Sequence, residues 1–351
     1  MDWARGLAVL VMIQAHVLDS WTRIDARGSW QYAWSMIVAG FAAPLFLFLA
    51  GVSIPLSAGS KLRRTGDSAI AASSVINRGF WIFFLAFLFR IQAWALGWGS
   101  PRGMLKVDIL NVMGPAVAVA GALWGAVQVP RLRPVAFALV AAVISVLTPI
   151  VRTTPLLNPL PDALEAYIRP LGGLTTFCFF PWAGFVFAGA VIGLLLEEVR
   201  TLEGDSRLNR WLAVAGAALA GAAYAGSFLP TPYAHSEFWG GSPAFFALRV
   251  GILTLILPWA YVWERLAVRQ SWSPMEQLGR SSLFIYWIHV EMVYGLLSLR
   301  IHKTLTLPQA WAAYALFVIV MLLCSIEKDR IVRWWNARRK QNAYFIESRT
   351  F

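Results

Sequence analysis

The hydrophobic residues of this chain fall into long apolar runs that are separated by short polar stretches. A helix of about 20 apolar residues crosses the hydrocarbon core of a bilayer, and ten runs approach or exceed that length. They cover residues 4–20, 31–56, 78–98, 109–127, 134–151, 177–196, 210–228, 244–263, 277–298 and 308–325. The runs do not alternate apolar and polar residues, which argues against a membrane β-barrel. The pattern predicts an all-α fold, a polytopic membrane helical bundle of about ten transmembrane helices.

Composition and charge support a membrane location. Of the 351 residues, 58% are hydrophobic and 14% are charged, whereas a soluble domain has about 25% charged residues. The formal net charge of +12 does not indicate a nucleic-acid partner, because the basic residues lie in the loops and the C-terminal tail. The two cysteines, Cys178 and Cys324, lie in different runs and suggest neither a disulfide nor a metal site.

Lysine and arginine are divided unevenly between alternate loops, and cytoplasmic loops carry the excess of these residues. With ten spans, one side of the membrane holds Lys61, Arg63, Arg64, Arg131, Arg133, Arg200, Arg207, Arg210, Arg265, Arg269 and the basic residues that follow residue 326. We therefore expect both termini to be cytoplasmic. Residues 1–325 would form the transmembrane domain, and residues 326–351 a basic cytoplasmic tail.

The first apolar run carries a polar stripe. Arg5 and His16 are eleven residues apart, which places them on one helix face at a separation of about 16 Å. Asp2 lies one turn before Arg5, and Asp19 lies one turn after His16, so each carboxylate can reach its neighbour. Polar residues in a transmembrane helix are costly unless they face protein or a wet cavity. The stripe therefore predicts a functional site.

A second histidine, His289, lies in the ninth run at a depth similar to that of His16. Ser282 precedes it by seven residues, about two turns, on the same face. Two histidines at one depth suggest a shared cavity. The alternative interpretation is that His289 is a buried histidine bonded to a backbone carbonyl.

Other polar residues are candidates for substrate contacts on the predicted outer side. Arg249 lies within an apolar run, where its side chain would either serve the site or reach out to the headgroups. Asp108 and Asn111 begin the fourth run. Asp108 is expected to pair with Arg90 or Arg249, to orient a histidine, or only to begin a helix.

The loop before the eighth run is rich in aromatic residues and contains His235 and Glu237. Such a loop would suit a sugar ring. His302, by contrast, is expected to be a solvated loop residue. No phosphate loop, dinucleotide fingerprint or zinc motif occurs in the sequence.

Five segments in order, DWARGLAVLVMIQAH, PLFLFLAGVSI, DILNVMG, FPWAGFVFAG and GRSSLFIYWIH, resemble the transmembrane acyltransferase superfamily. The chain is most similar in these segments to bacterial relatives of heparan-α-glucosaminide N-acetyltransferase. The arginine–histidine spacing of the first run is typical of these families. The resemblance covers nearly the whole chain but does not include the large lumenal domain of the lysosomal enzyme.

The resemblance implies that acyl-CoA, usually acetyl-CoA, enters from the cytoplasm and acylates an amine or hydroxyl of a sugar on the far side. His16 would be the general base or would itself take the acyl group, and Asp19 would hold its tautomer. Arg5, with Arg78 or Arg280, would bind the CoA phosphates. Ser282 is assigned to the same cofactor site, and no metal is expected.

One departure from the family leaves the base undecided. The lysosomal enzyme has an amide residue at the position of His16 and a histidine in the following loop, where this chain offers only Arg27 near Trp30. The base is therefore either His16 or His289.

The expected partners are membrane lipids and a sugar or glycan acceptor, with a homodimer left open, and the expected location is the bacterial inner membrane. The alternative function is a proton-coupled small-molecule transporter in which the two histidines gate protons.

Overall fold

The computed structural model describes residues 1–97, 101–236, 238–266 and 272–347. Within these ranges the chain forms α-helices and short 3₁₀ turns without a β-strand, which confirms the all-α prediction. The helices are α1 (Asp2–Trp21), α2 (Trp30–Ala39), α3 (Ala42–Thr65), α4 (Ser68–Gly97), α5 (Ile109–Ala126), α6 (Arg133–Thr153), α7 (Asp162–Ile168), α8 (Phe179–Glu198), α9 (Leu202–Gly226), α10 (Phe238–Gly241), α11 (Pro243–Leu266), α12 (Pro274–Arg280), α13 (Ser282–Tyr294) and α14 (Leu307–Glu347).

The chain divides into two compact units. The α1 unit comprises Asp2–Gly40 and Ser271–Phe351, and the α3 unit comprises Met1 and Phe41–Gln270. In the α1 unit, α1 packs against α2, α12, α13 and α14. Val9, Ile13 and Val17 of α1 are fully buried, so the first apolar run is the helix around which this unit is built.

The α3 unit is organised around the pair α3 and α8, which also contact α4, α5 and α6. Small residues let these two backbones approach closely. A Cβ atom added at Gly51 would lie 2.0 Å from the carbonyl oxygen of Val186, and one added at Gly189 would lie 2.0 Å from that of Phe48. Such close approach is typical of membrane helix pairs, since lipid gives no hydrophobic drive for helices to associate.

Seven helical segments in the described residues are long and apolar enough to cross a membrane, which supports a multi-pass membrane protein. They are Trp30–Thr65, Ser68–Ala95, Ile109–Ala126, Pro130–Thr153, Phe179–Glu198, Pro243–Leu266 and Leu307–Arg339. The other three of the ten predicted spans are also helical. Of these, α1 and α9 are long enough but more polar, and the third is divided into α12 and α13. The count of ten and the location of the termini stay predictions.

Three predicted segments differ in detail from the structure. The second run is broken at Gly40 and Phe41 into α2 and α3, and α3 continues through the basic residues that were expected in a loop. The ninth run is broken at Ser281. The last helix, α14, runs past residue 325 without a break. The basic segment after residue 325 therefore begins as a continuation of the last helix.

Candidate active site

The polar side chains of the second half of α1 meet the end of α13. Nδ1 of His16 lies 3.1 Å from the phenol oxygen of Tyr294, and the Tyr294 hydroxyl donates a hydrogen bond of 2.9 Å to Oδ2 of Asp19. The rings of His16 and Tyr294 meet edge to face with centroids 5.5 Å apart. Asp19 was expected to contact His16 as a neighbour on the same helix. It is instead linked to His16 through the hydroxyl of Tyr294.

This series of hydrogen bonds determines the tautomer of His16. A carboxylate only accepts hydrogen bonds, so the Tyr294 hydroxyl donates its single proton in the hydrogen bond to Asp19. The phenol oxygen must then accept a proton from Nδ1 of His16. A neutral imidazole with its proton on Nδ1 carries its lone pair on Nε2. The arrangement therefore prepares Nε2 of His16 to accept a proton.

Arg27 supports the carboxylate end of the series. Its Nη1 atom lies 3.7 Å from Oδ1 of Asp19, and its Nη2 atom donates to the backbone carbonyl of Asp19. Nε of Arg27 also donates to the carbonyl of Thr22 at 3.2 Å. The guanidinium thus holds the C-terminal end of α1 and lies beside the carboxylate of Asp19.

Backbone contacts fix the height of α1 relative to the segment that follows α13. The amides of Lys303 and Leu305 donate to the carbonyls of Ser20 and Trp21 at 2.9 and 3.0 Å. The Ser20 hydroxyl and the Trp21 indole both donate to the carbonyl of Val293, the residue before Tyr294. These contacts position Tyr294 opposite His16 and Asp19.

His289 is completely buried, and its ring centroid lies 5.1 Å from that of His16. The two histidines are therefore neighbours, as their similar depth predicted. Nδ1 of His289 is 2.8 Å from the carbonyl of Ile285, to which it donates, so the lone pair is on Nε2. Nε2 has no hydrogen-bond partner among the described residues. The hydrogen bond to Ile285 is the backbone contact expected if His289 were only a buried structural histidine. His289 makes this contact and also lies beside His16.

The opposite end of α1 packs tightly on α12. A Cβ atom added at Gly279 would lie 1.8 Å from the carbonyl oxygen of Asp2, and one added at Gly6 would lie 2.0 Å from that of Met275. Arg5, at this end, forms an ion pair of 3.2 Å with Asp2. The close packing places the first turn of α1, with Arg5, beside the helix that ends in Arg280.

The break between α12 and α13 is surrounded by polar groups. Arg280 is exposed and donates to Gln277 at 3.4 Å, and Nζ of Lys328 donates to the Ser281 hydroxyl at 2.9 Å. Ser282 is the first residue of α13 and is partly buried. This end of the α1 unit therefore carries the cations Arg5, Arg280 and Lys328, of which Lys328 was not singled out from the sequence.

The remaining predicted site residues lie in the α3 unit. Arg78 is exposed on α4. Asp108 caps α5 together with Asn111 and pairs with Arg90 at 2.8 Å. The helix-start role and the Arg90 partner are thus both present.

Asn111 also donates to the Tyr167 hydroxyl at 3.1 Å. Burial raises the pKa of Tyr167, and this hydrogen bond opposes the increase. The contact ties the start of α5 to α7, so the amide of Asn111 has a structural function.

Aromatic rings surround Arg249. Its guanidinium carbon lies 4.0 Å from the ring centroid of Phe245 and 5.8 Å from those of Phe41 and Trp182. Such cation–π contacts stabilise a cation that has been removed from water. His235 is exposed and lines a cavity, and Glu237 lies outside the described residues.

Sequence reasoning did not identify Tyr294, and it mentioned Arg27 only as a loop residue. Tyrosine is common near the ends of membrane helices, so the residue type alone did not indicate that Tyr294 belongs to a functional site. Only its position five residues after His289 could have suggested a shared site. Among the described residues, no group of three or more His, Cys, Asp or Glu side chains is arranged to hold a metal ion.

Comparison with protein families identifies a matching family model. The family described as heparan-alpha-glucosaminide N-acetyltransferase, catalytic, matches residues 1–222. The matched segment includes His16, Asp19 and Arg27, but it ends before α13, which carries His289 and Tyr294. A comparison with curated proteins found no match.

Proposed function

Because the chain belongs to the heparan-α-glucosaminide N-acetyltransferase catalytic family, we propose that it transfers an acetyl group across a membrane. The donor is acetyl-CoA from the cytoplasm, and the acceptor is an amine or hydroxyl of a sugar or glycan on the outer side. The protein is an integral membrane acetyltransferase, and we place it in a bacterial inner membrane.

His16 acts as the general base in this proposal. Nε2 removes a proton from the acceptor N–H or O–H, and the acceptor atom attacks the thioester carbonyl. The carbon–sulfur bond breaks, and the CoA thiolate takes the proton back from the imidazolium. The observation that carries the proposal is the hydrogen-bond series from Asp19 through Tyr294 to His16, because it keeps the proton on Nδ1.

The same series stabilises the charged state that forms during the reaction. When Nε2 takes a proton, the imidazolium donates from Nδ1 toward a tyrosine whose hydroxyl points at a carboxylate. The negative charge of Asp19 opposes the new positive charge through one intervening oxygen. If His16 took the acetyl group itself, Nε2 would be the attacking atom and the same partners would act.

Arg5 and Arg280 are proposed as contacts for the CoA phosphates. The packing of the first turn of α1 on α12 supports this, since both cations belong to the same end of the α1 unit. Arginine binds phosphate oxygens through paired N–H groups. Ser282 is proposed as a neutral donor at this end. The roles predicted for Arg78, Asp108, Asn111, Arg249, His235 and Glu237 stay predictions.

The test is acetyl transfer by the purified protein in detergent, measured with radiolabelled acetyl-CoA. We expect His16→Ala to lower kcat by about 10²- to 10⁴-fold, the usual contribution of a general base. His302→Ala is the matched control, because His302 is an exposed loop histidine that lies 3.1 Å from the Ser20 hydroxyl and is outside the hydrogen-bond series of Asp19, Tyr294 and His16. Activity that survives His16→Ala but is lost in His289→Ala would move the base to His289.

The transporter alternative makes a different prediction in the same preparation. Liposomes that contain the protein would exchange a labelled substrate without any requirement for CoA. Such exchange, together with the absence of acetyl transfer, would reject the acyltransferase proposal.

Arg5→Ala tests the donor site. Loss of a charged hydrogen-bond donor costs about 1.5–3 kcal/mol, so we expect KM for acetyl-CoA to rise by about ten-fold or more while kcat changes little. Arg23→Ala is the control, since Arg23 pairs with Asp25 just beyond the opposite end of α1. An unchanged KM in Arg5→Ala would remove Arg5 from the CoA site.

A further inference from the structure

The α3 unit contains a half-open cavity of about 390 Å³. It is lined by Pro149, Arg152, Thr153, His235, Ser236, Gly240 and Gly241. The first three residues belong to the end of α6, and the others belong to the α10 segment and the loop before it. Its volume is in the range of pockets that hold small molecules.

Arg152 is the charged residue of this cavity. Its Nη1 atom donates to the carbonyl of Gly240, whereas its Nε atom is buried without a hydrogen-bond partner. None of the ion pairs found among the described residues involves Arg152. A buried N–H group that lacks a partner costs about 1–3 kcal/mol. The structure therefore leaves an unsatisfied charged donor beside an open space.

Two other half-buried arginines of the α3 unit, Arg90 and Arg249, also have a buried Nε atom without a hydrogen-bond partner among the described residues, but the charge of each has another partner. Arg90 pairs with Asp108, Arg169 pairs with Glu165, and Arg249 is surrounded by aromatic rings. Arg152 differs because its neighbouring space is a cavity rather than a carboxylate or a ring. Among the described residues the charge of Arg152 therefore has neither a carboxylate nor an aromatic ring as its partner, and the adjacent cavity leaves room for an anion.

The rest of the cavity is arranged around this guanidinium. A Cβ atom at Gly241 would lie 2.7 Å from Nη1 of Arg152, so the glycine leaves room for the guanidinium in its present position. The Tyr233 hydroxyl donates to the carbonyl of Val146 and holds the loop that carries His235 against α6. His235 adds an imidazole N–H donor to the wall of the cavity.

We propose that this cavity binds an oxyanion of the phosphate, sulfate or carboxylate class, with Arg152 as the charged donor and His235 as the second donor. The planar guanidinium offers paired N–H groups to two oxygens of one anion. The anion belongs either to a soluble molecule or to a lipid headgroup. Both sources present the same chemistry to Arg152.

Calorimetry on the full-length protein in detergent tests the soluble source, with inorganic phosphate, sulfate and glucuronate as probes. We expect one of these anions to bind, and Arg152→Gln to weaken its binding by at least ten-fold. Arg207→Gln is the matched control because Arg207 lies on the surface of the same unit and pairs with Glu203. Binding that is equal in the wild type and Arg152→Gln would overturn the proposal.

Lipid retention tests the second source. The protein is reconstituted into nanodiscs of phosphatidylcholine and phosphatidylglycerol, and retained lipids are counted by native mass spectrometry. Retention of one phospholipid by the wild type and its loss in Arg152→Gln would assign a headgroup. If no soluble anion binds and lipid retention is the same in both proteins, the anion site is rejected.

Glu237 follows Ser236 in the chain and supplies a further control. We expect Glu237→Gln to bind the anion as tightly as the wild type or more tightly, because a negative charge next to Ser236 in the sequence is removed. Anion binding that is seen only in Glu237→Gln would show that Arg152 serves an internal carboxylate, and it would reject the proposal.

Discussion

At the residue scale, the hydroxyl of Tyr294 links His16 to Asp19. The hydroxyl has one proton and two neighbouring groups. It donates its hydrogen bond to Asp19, because a carboxylate can only accept one. His16 is thereby left with its proton on Nδ1. A histidine alone would distribute its proton between both nitrogens, and its role would depend on transient contacts.

Tyr294→Phe removes this link and keeps the ring that packs against His16. The loss of one hydrogen bond to a charged group costs about 1.5–3 kcal/mol, so we expect kcat to fall by about 10- to 100-fold with little change in KM for acetyl-CoA. Steady-state acetyl-transfer kinetics make the measurement.

Tyr261→Phe is the control for that substitution, since the Tyr261 hydroxyl is buried and has no hydrogen-bond partner among the described residues. An equal loss of kcat in both variants would indicate a general effect of hydroxyl removal on folding. It would contradict the role of Tyr294 in positioning His16.

At the scale of elements, the ninth run serves two purposes because it is broken. Up to Arg280, α12 packs on the first turn of α1, and from Ser282 onward α13 carries His289 and Tyr294 toward the other end of α1. One apolar run thus contacts α1 near Arg5 and again near His16. Gly279 permits the first of these contacts, and backbone hydrogen bonds to the segment after α13 secure the second.

Gly279→Ala tests the close packing at that end. The added methyl group would lie 1.8 Å from the carbonyl oxygen of Asp2, so the helices must separate. We expect a loss of about 1–3 kcal/mol of stability, measured as a lower Tm in detergent. Gly221→Ala is the control, because Gly221 is in α9 and a Cβ atom there meets no neighbour within 4 Å. A Tm equal to that of the wild type in Gly279→Ala would contradict the close contact.

At the scale of the whole molecule, the helices of the candidate active site are among the three predicted spans that do not form a single long apolar helix. Among the ten predicted spans, α1 and the α12–α13 pair are absent from the seven segments that are long and apolar enough to cross a membrane, and they hold His16, Asp19, His289 and Tyr294. Polar side chains such as Arg5 and His16 reduce the mean hydropathy of α1, whereas α12 and α13 are absent because the break at Ser281 leaves each of them too short to cross a membrane. The third predicted span that is absent from these seven segments is α9, which has charged residues in its first turns and none of the candidate active-site residues.

The number of spans determines on which side of the membrane the C-terminus lies relative to the N-terminus. Ten spans place both termini on one side, whereas the seven segments that are long and apolar enough by themselves would place them on opposite sides. We expect a fluorescent protein fused to the C-terminus to fluoresce, as it does in the cytoplasm. We also expect a cysteine introduced at residue 2 to resist an impermeant thiol reagent in intact cells. Termini on opposite sides would reject the ten-span topology.

The sequence by itself determined the all-α membrane fold and the importance of the first run. Both follow from the length of the apolar runs and from the cost of Arg5 and His16 in lipid, which are local properties. The depth of His289 relative to His16 could also be counted along two helices.

Only the tertiary structure decided which groups complete the site. Asp19 reaches His16 through Tyr294, a residue 275 positions away in the chain, and no spacing rule links the two. The break at Ser281 and the unpartnered Nε of Arg152 likewise depend on packing between distant segments. Periodicity reports which face of a helix is polar, whereas hydrogen-bond partners depend on how the helices pack.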